Sequence, residues 1–186
     1  MQKPNDKVVV VKAVSLRNRI DDIGRFYIEA EGAAKQIDGL VNRYNLREFL
    51  RADHIGYKCD SSESFENNRW FLEPHAEYLY QSYISGRRIA IMKLKKAIPS
   101  ILGTINFLEL SDLKSGSQVV GGFDHMEAYP VLSYDDTISD MVDKGIEIRK
   151  VERPHHTTHD IVVDNAFILR LTQEALIEKI KRTEMK

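Results

Sequence analysis

The dipeptide Asp53-His54 recurs in the second half of the chain as Asp124-His125, each time inside a run that reads as a strand: Ala52-Asp53-His54-Ile55-Gly56-Tyr57-Lys58-Cys59 and Phe123-Asp124-His125-Met126-Glu127-Ala128-Tyr129. Successive side chains of a strand alternate between its faces, so His54, Gly56 and Lys58 share one side, as do His125, Glu127 and Tyr129. Two equivalent histidines are thus expected to open two equivalent strands. After each copy comes a helical stretch and then three further strand candidates. A chain built this way has little choice of fold class. It is α+β, made of two βαβββ modules.

The first module is expected over residues 52–112. Its helix runs from Ser61 to Phe71 and is opened by Ser61-Ser62-Glu63-Ser64, where a hydroxyl and a carboxylate can satisfy free backbone N–H groups. Tyr78 to Ile84 and Arg88 to Leu94 read as a hairpin around Ser85-Gly86-Arg87, and Ile105 to Leu110 as the fourth strand. Residues 111–122 are rich in Ser and Gly and read as a linker. The second module, 123–172, repeats the order with a helix near 136–144 closed by Gly145, strands at 147–152, 160–163 and 167–171, and a last turn at Asp164-Asn165.

Two helices are predicted ahead of the repeat, in residues 15–50. One begins at Ser15 and carries Leu16, Ile20, Ile23, Phe26, Tyr27 and Ala30; the other carries Ala34, Ile37, Leu40, Val41 and Tyr44. Their apolar stripes suit the outer face of a sheet. Residues 173–186 read as a charged terminal helix with Leu176, Ile177 and Ile180 on its buried side. Val8 to Val14 is either a strand or a flexible arm.

A length of 186 residues fits one domain holding both modules. Lys and Arg number 27 against 28 Asp and Glu, a balance that points away from nucleic acid and from an anionic membrane surface. The single cysteine, Cys59, excludes an intramolecular disulfide and is expected to be buried and inert. Val8 to Val11 is followed at once by Lys12, too short an apolar run for a signal peptide, so a cytoplasmic protein is expected. The expected partner is a small molecule or another protein, with a homodimer left open.

The order of Asp53-His54-Ile55, Ser85-Gly86-Arg87-Arg88-Ile89, Phe107-Leu108-Glu109-Leu110 and Phe123-Asp124-His125-Met126-Glu127 resembles the YecM-like group of the vicinal oxygen chelate superfamily, over roughly residues 20–180. That resemblance implies modules whose sheets form a cup, with metal ligands on the first and last strand of each. Carried over, the ligands are His54, Glu109 and His125. The fourth place falls at Arg170, where Phe167-Ile168-Leu169-Arg170-Leu171 aligns with Asn106-Phe107-Leu108-Glu109-Leu110, and a guanidinium does not bind metal. Two imidazoles and one carboxylate suit Fe(II), Zn(II) or Mn(II). The function implied is a metal-dependent enzyme acting on a small anionic substrate, with a non-catalytic ligand-binding or interaction module as the alternative.

Within such a cup Glu127, on the face of His125, is the candidate general base. Arg170, Lys58 and Arg88 are candidate contacts for a substrate carboxylate or phosphate. Arg170 could instead close the cup through a salt bridge to Glu109 or Glu127, and Glu109 could pair with Arg88 or Lys93. The loop Pro154-His155-His156-Thr157-Thr158-His159-Asp160 adds three histidines. If it folds over the mouth of the cup, His155, His156 and His159 would meet the substrate.

Overall fold

The computed structural model describes residues 19–84, 86–152, 157–164 and 167–184. Both modules are present in the expected order. β1 (Leu50–Lys58), α2 (Ser62–Leu72), β2 (Ala76–Ile84), β3 (Arg87–Ser100) and β4 (Gly103–Ser111) form the first. β5 (Gly122–Pro130), α3 (Tyr134–Asp143), β6 (Arg149–Glu152), β7 (Thr157–Asp164) and β8 (Phe167–Leu171) form the second. The predicted linker falls between β4 and β5. His54 and His125 sit inside their strands rather than opening them, because pairing of Leu50 with Pro130 and of Ala52 with Ala128 carries β1 back past Asp53.

One helix, α1 (Ile23–Tyr44), stands where two were expected. Asp22 caps its start by accepting from the Arg25 N–H, and Asn45, in the left-handed region at φ 53°, ends it. Nothing between Ala30 and Ala34 can stop a helix. Gly32 weakens it by about 1 kcal/mol. The buried stripe Phe26, Tyr27, Ala30, Ala33, Ala34, Ile37 and Val41 runs straight through and outweighs that cost. The Val8–Val14 segment lies outside the described residues.

All eight strands share one curved sheet in the order β2-β3-β4-β1-β5-β8-β7-β6. The order reads the same outward from the centre in both directions, as a duplication requires. β1 and β5 meet antiparallel at the seam, while β1–β4 and β5–β8 are parallel. The outer face carries the main core, where α1 and residues of α2 and α3 such as Phe65, Leu72 and Met141 bury Ile55, Leu108, Leu110, Met126, Ala128, Leu169 and Leu171. The inner face carries the alternate residues. There the C-terminal helix α4 (Leu176–Glu184) lays Leu176 and Ile180 against Tyr80, Ile89, Ile91 and Phe107, so it covers the first module's half of the cup.

Among the described residues no helix is long and apolar enough to cross a membrane. Cys59 is buried, as expected, and burial pushes its thiol up to about 12, with the Asn68 amide donating to Sγ at 3.6 Å. Ile37 is fully buried between α1 and the sheet. Ile37→Ala should cost about 2–5 kcal/mol, read as a lowered midpoint with unchanged slope in urea unfolding.

Candidate metal centre

The seam between β1 and β5 is irregular at two points, and both lie at the Asp-His pairs. Ala52 pairs with Ala128 and Ile55 with Met126, so Asp53 and His54 together face Glu127 alone. Gly56 pairs with His125 and Tyr57 with Phe123, which leaves Asp124 without an opposite number. In a regular strand neighbouring side chains point to opposite faces and could not meet. A bulge breaks that alternation and turns each aspartate toward its own histidine. Asp53 Oδ2 lies 3.2 Å from His54 Nδ1, and Asp124 Oδ1 lies 2.7 Å from His125 Nδ1.

With Nδ1 held by a carboxylate, each ring presents Nε2 to the inner face. The two rings stand at 86° with centroids 5.8 Å apart. Both Nε2 atoms are buried without a hydrogen-bond partner among the described residues. Two carboxylates complete the cluster: Glu109 Oε2 is 3.6 Å from His54 Nε2, and Glu127 lies 3.9 Å from the Nε2 of each histidine. His54, Glu109 and His125 have ligand atoms all within 4.8 Å of one another, as do Asp53, His54 and Glu127. The first group is the better cation site, because Asp53 Oδ2 is already engaged by His54 Nδ1 and by the Leu176 N–H at 2.8 Å.

Close approach of the seam depends on Gly56. A β-carbon there would lie 2.1 Å from His125 Cε1, so only glycine leaves room for the ring. The parallel registers also align the modules residue by residue: Gly56 stands opposite Glu109 as Glu127 stands opposite Arg170. Glu127 is thus the second module's counterpart of Gly56, and a carboxylate fills the place that the glycine vacates.

The electrostatics call for a positive charge. Burial disfavours charge on the His54 ring, yet Glu127, Asp53 and Glu109 outweigh it and hold its pKa well above the ordinary value. Glu109 shows the reverse: burial raises its pKa, but His54, His125 and Arg87 bring it down to about 2. Asp124 is likewise held below the usual carboxylate range by His125 and Lys58 against its burial. Unsatisfied imidazole nitrogens facing ionised carboxylates are the donor set a divalent cation takes. The residues present therefore fit a metal.

Other candidate residues fall differently. Lys58 reaches Asp124 Oδ2 at 2.9 Å, so its ammonium supports the carboxylate that orients His125. Arg170 is paired, though not to Glu109. Its Nε and Nη2 donate to Asp160 Oδ1 and Oδ2 at 3.0 and 3.1 Å, and Nη1 is 3.7 Å from Glu127. Asp160 is its register partner on β7.

Arg88 is a correction. It lies on the outer face, where it pairs with Asp112 and Glu66 and stacks 4.6 Å over Phe65, because the turn residue Arg87 takes the inner face. His159 is another. It alternates with Asp160 on β7 and turns outward to the hydroxyl of Tyr134, 2.9 Å from Nδ1. Lys93 pairs with Glu77 at 2.6 Å and leaves Glu109 to the cluster. His155 and His156 lie outside the described residues.

Two βαβββ modules sharing one sheet, with two histidines and two glutamates converging at their seam, define a vicinal oxygen chelate fold with a candidate cation centre. The chain belongs to the YecM family, whose model, described as YecM protein, matches residues 28–165. Among solved structures, a structural-genomics protein, EC4020, is similar with a TM-score of 0.62 at 20% identity, covering 82% of this chain and 90% of that one. A single-residue variant of the methylmalonyl-CoA epimerase of Streptomyces coelicolor, in complex with 2-nitronate-propionyl-CoA, has a TM-score of 0.45 at 20% identity, covering 68% and 99%. A putative dioxygenase of Bacillus subtilis subsp. subtilis str. 168 has a TM-score of 0.43 at 11% identity, covering 68% and 41%. The first of these carries the likeness of fold. No curated protein matches the chain.

Two substitutions test the geometry. Asp124→Asn should keep the fold and lower zinc affinity by about 10–100-fold, the usual effect of losing a carboxylate behind a ligating histidine. Gly56→Ala should displace the His125 ring and lower zinc affinity at least as much. Competition with a chromophoric chelator reads both.

Proposed function

We propose that this protein is a divalent-metal-dependent enzyme of the vicinal oxygen chelate type acting on a small anionic substrate, with His54, Glu109 and His125 as its metal ligands. The observation that carries the reading is the pair of buried Nε2 atoms, partnerless among the described residues and aimed at two carboxylates. Leaving two such ring nitrogens unpaired costs about 1–3 kcal/mol each, a cost that ligation removes. A bound divalent cation supplies Lewis acidity, polarising a substrate oxygen.

The chain's own groups supply the rest. Asp53 and Asp124 fix the tautomer of each ring so that Nε2 keeps its lone pair for the centre. Glu127, 12% exposed at the side chain and facing both rings, is the group that takes a proton from the substrate. Arg170, locked by Asp160, holds Glu127 in place. Lys58 and Arg170 also offset the carboxylates around the histidines, so that an anion is not repelled from the cup. α4 covers the first module's inner face and keeps water from that side.

A second reading rests on the same α4 packing and on the Arg170–Asp160 pair. Together they fill part of the cup with the protein's own side chains, as suits a module that senses or sequesters a ligand without turning it over.

Metal analysis of protein purified without an affinity tag tests the first reading. Wild type should hold about one equivalent of a divalent transition metal, and His54→Ala and His125→Ala should each lose most of it. Equal, negligible metal in all three would overturn it. Metal uptake and binding of a carboxylate ligand, with no exchange of that ligand's protons for deuterium, would leave the sensing reading.

A further inference from the structure

The two aspartates behind the histidines are anchored differently. Asp124 holds His125 through Oδ1 and takes the ammonium of Lys58, a residue of the central strand β1, on Oδ2. Asp53 holds His54 through Oδ2, and the same oxygen accepts the Leu176 N–H at 2.8 Å, from 123 residues away in the chain. Leu176 is the first residue of α4, so its N–H lies outside the helix's own ladder and Asp53 supplies the acceptor. The Asp53–His54 contact is also the longer of the two, 3.2 Å against 2.7 Å, so the direction of the Asp53 carboxylate depends more on its second donor. Both Asp53 and His54 are buried. A helix of nine residues is marginal in water by itself. What orders α4 is therefore its seat: Leu176 and Ile180 on Tyr80, Ile89, Ile91 and Phe107, together with the bond to Asp53.

We propose that the Leu176 N–H is a positioning group of the metal centre: seating of α4 directs Asp53, Asp53 directs His54, and metal binding and α4 docking therefore stabilise each other. The inference rests on the function proposed above. A metal on His54 Nε2 fixes the ring and draws its Nδ1–H toward Asp53, which holds the carboxylate where the Leu176 N–H meets it. When α4 leaves, the carboxylate loses its shorter bond, and the ring behind the ligand atom loses its fixed orientation. The second module lacks this dependence, because Lys58 comes from a strand paired on both sides. One half of the centre is thus supported by the sheet and the other by a helix whose seating is an equilibrium.

Zinc affinity of full-length variants, read by competition with a chromophoric chelator, tests the coupling. Proline is accepted at the first position of a helix but carries no N–H. Leu176→Ala and Leu176→Pro both remove the leucine side chain, and only the second removes the donor. Leu176→Pro should bind zinc about 10-fold more weakly than Leu176→Ala, the low end of the loss seen behind a ligating histidine. In an Asp53→Ala background the two should bind zinc alike, since the carboxylate that carries the effect is gone. Lys181→Ala, in a residue paired with Glu178 on the exposed side of α4, should bind as wild type does. Coupling is reciprocal, so saturating zinc should slow deuterium exchange at the amides of residues 176–182 by a factor of the same order in wild type and leave it unchanged in Asp53→Ala. Equal zinc affinity in Leu176→Ala and Leu176→Pro overturns the coupling and leaves the metal reading standing, as does exchange in wild-type α4 that ignores zinc. A difference of the same size with Asp53 removed also overturns it, since the effect then travels by another route. Failure of wild type to take up zinc overturns both the coupling and the metal reading.

Discussion

The seam between β1 and β5 is the constraint on which the rest of this molecule depends. Two antiparallel strands in perfect register would send Asp53 and Asp124 to the outer face, into a core of leucine and isoleucine with no partner for a carboxylate. The two register shifts prevent that. They turn the aspartates onto the histidines, which in turn sets both imidazoles toward one point. Burial then strengthens every interaction in the cluster, because ion pairs and hydrogen bonds are least screened where water is excluded.

Around that seam the layers do different work. The outer helices bury one face of the sheet and make it a rigid platform. The inner face is left with charges that would be costly to bury alone, and the chain answers most of them internally. Asp160 answers Arg170, Asp124 answers Lys58, and Asp53 answers both His54 and the first N–H of α4. That last contact ties a surface helix to the orientation of a centre residue through one carboxylate. Both bonds fall on one oxygen, Oδ2, whose two lone pairs accept them at once.

The repeat was legible because it is a matter of order and period, which survive without any tertiary knowledge. The Asp-His doublets, the capping serines before α2 and the Phe167–Leu171 strand could be read from local chemistry. His54, Glu109 and His125 emerged from the family resemblance, and the structure brings their ligand atoms together. What strict alternation could not show were the bulges, since an extra residue in a strand leaves no mark in hydrophobic periodicity. The same limit exchanged Arg87 and Arg88, where an error of one residue at a turn moves a side chain to the opposite face. The two expected helices merged for another reason. Gly32 reads as a weak point, but the buried stripe on either side of it outweighs a local preference.

Gly56 and Glu127 occupy matching places in the two modules, and they cannot be exchanged. A side chain at 56 would overlap the His125 ring, whereas the same place in the other half has space for a glutamate. The duplication is therefore symmetric in its path and obligatorily asymmetric at its heart. Two identical copies of either module, joined across the same seam, would lack the carboxylate in one case and collide in the other. Fusion of the halves into one chain frees each to diverge, and the centre could take this form only after that divergence.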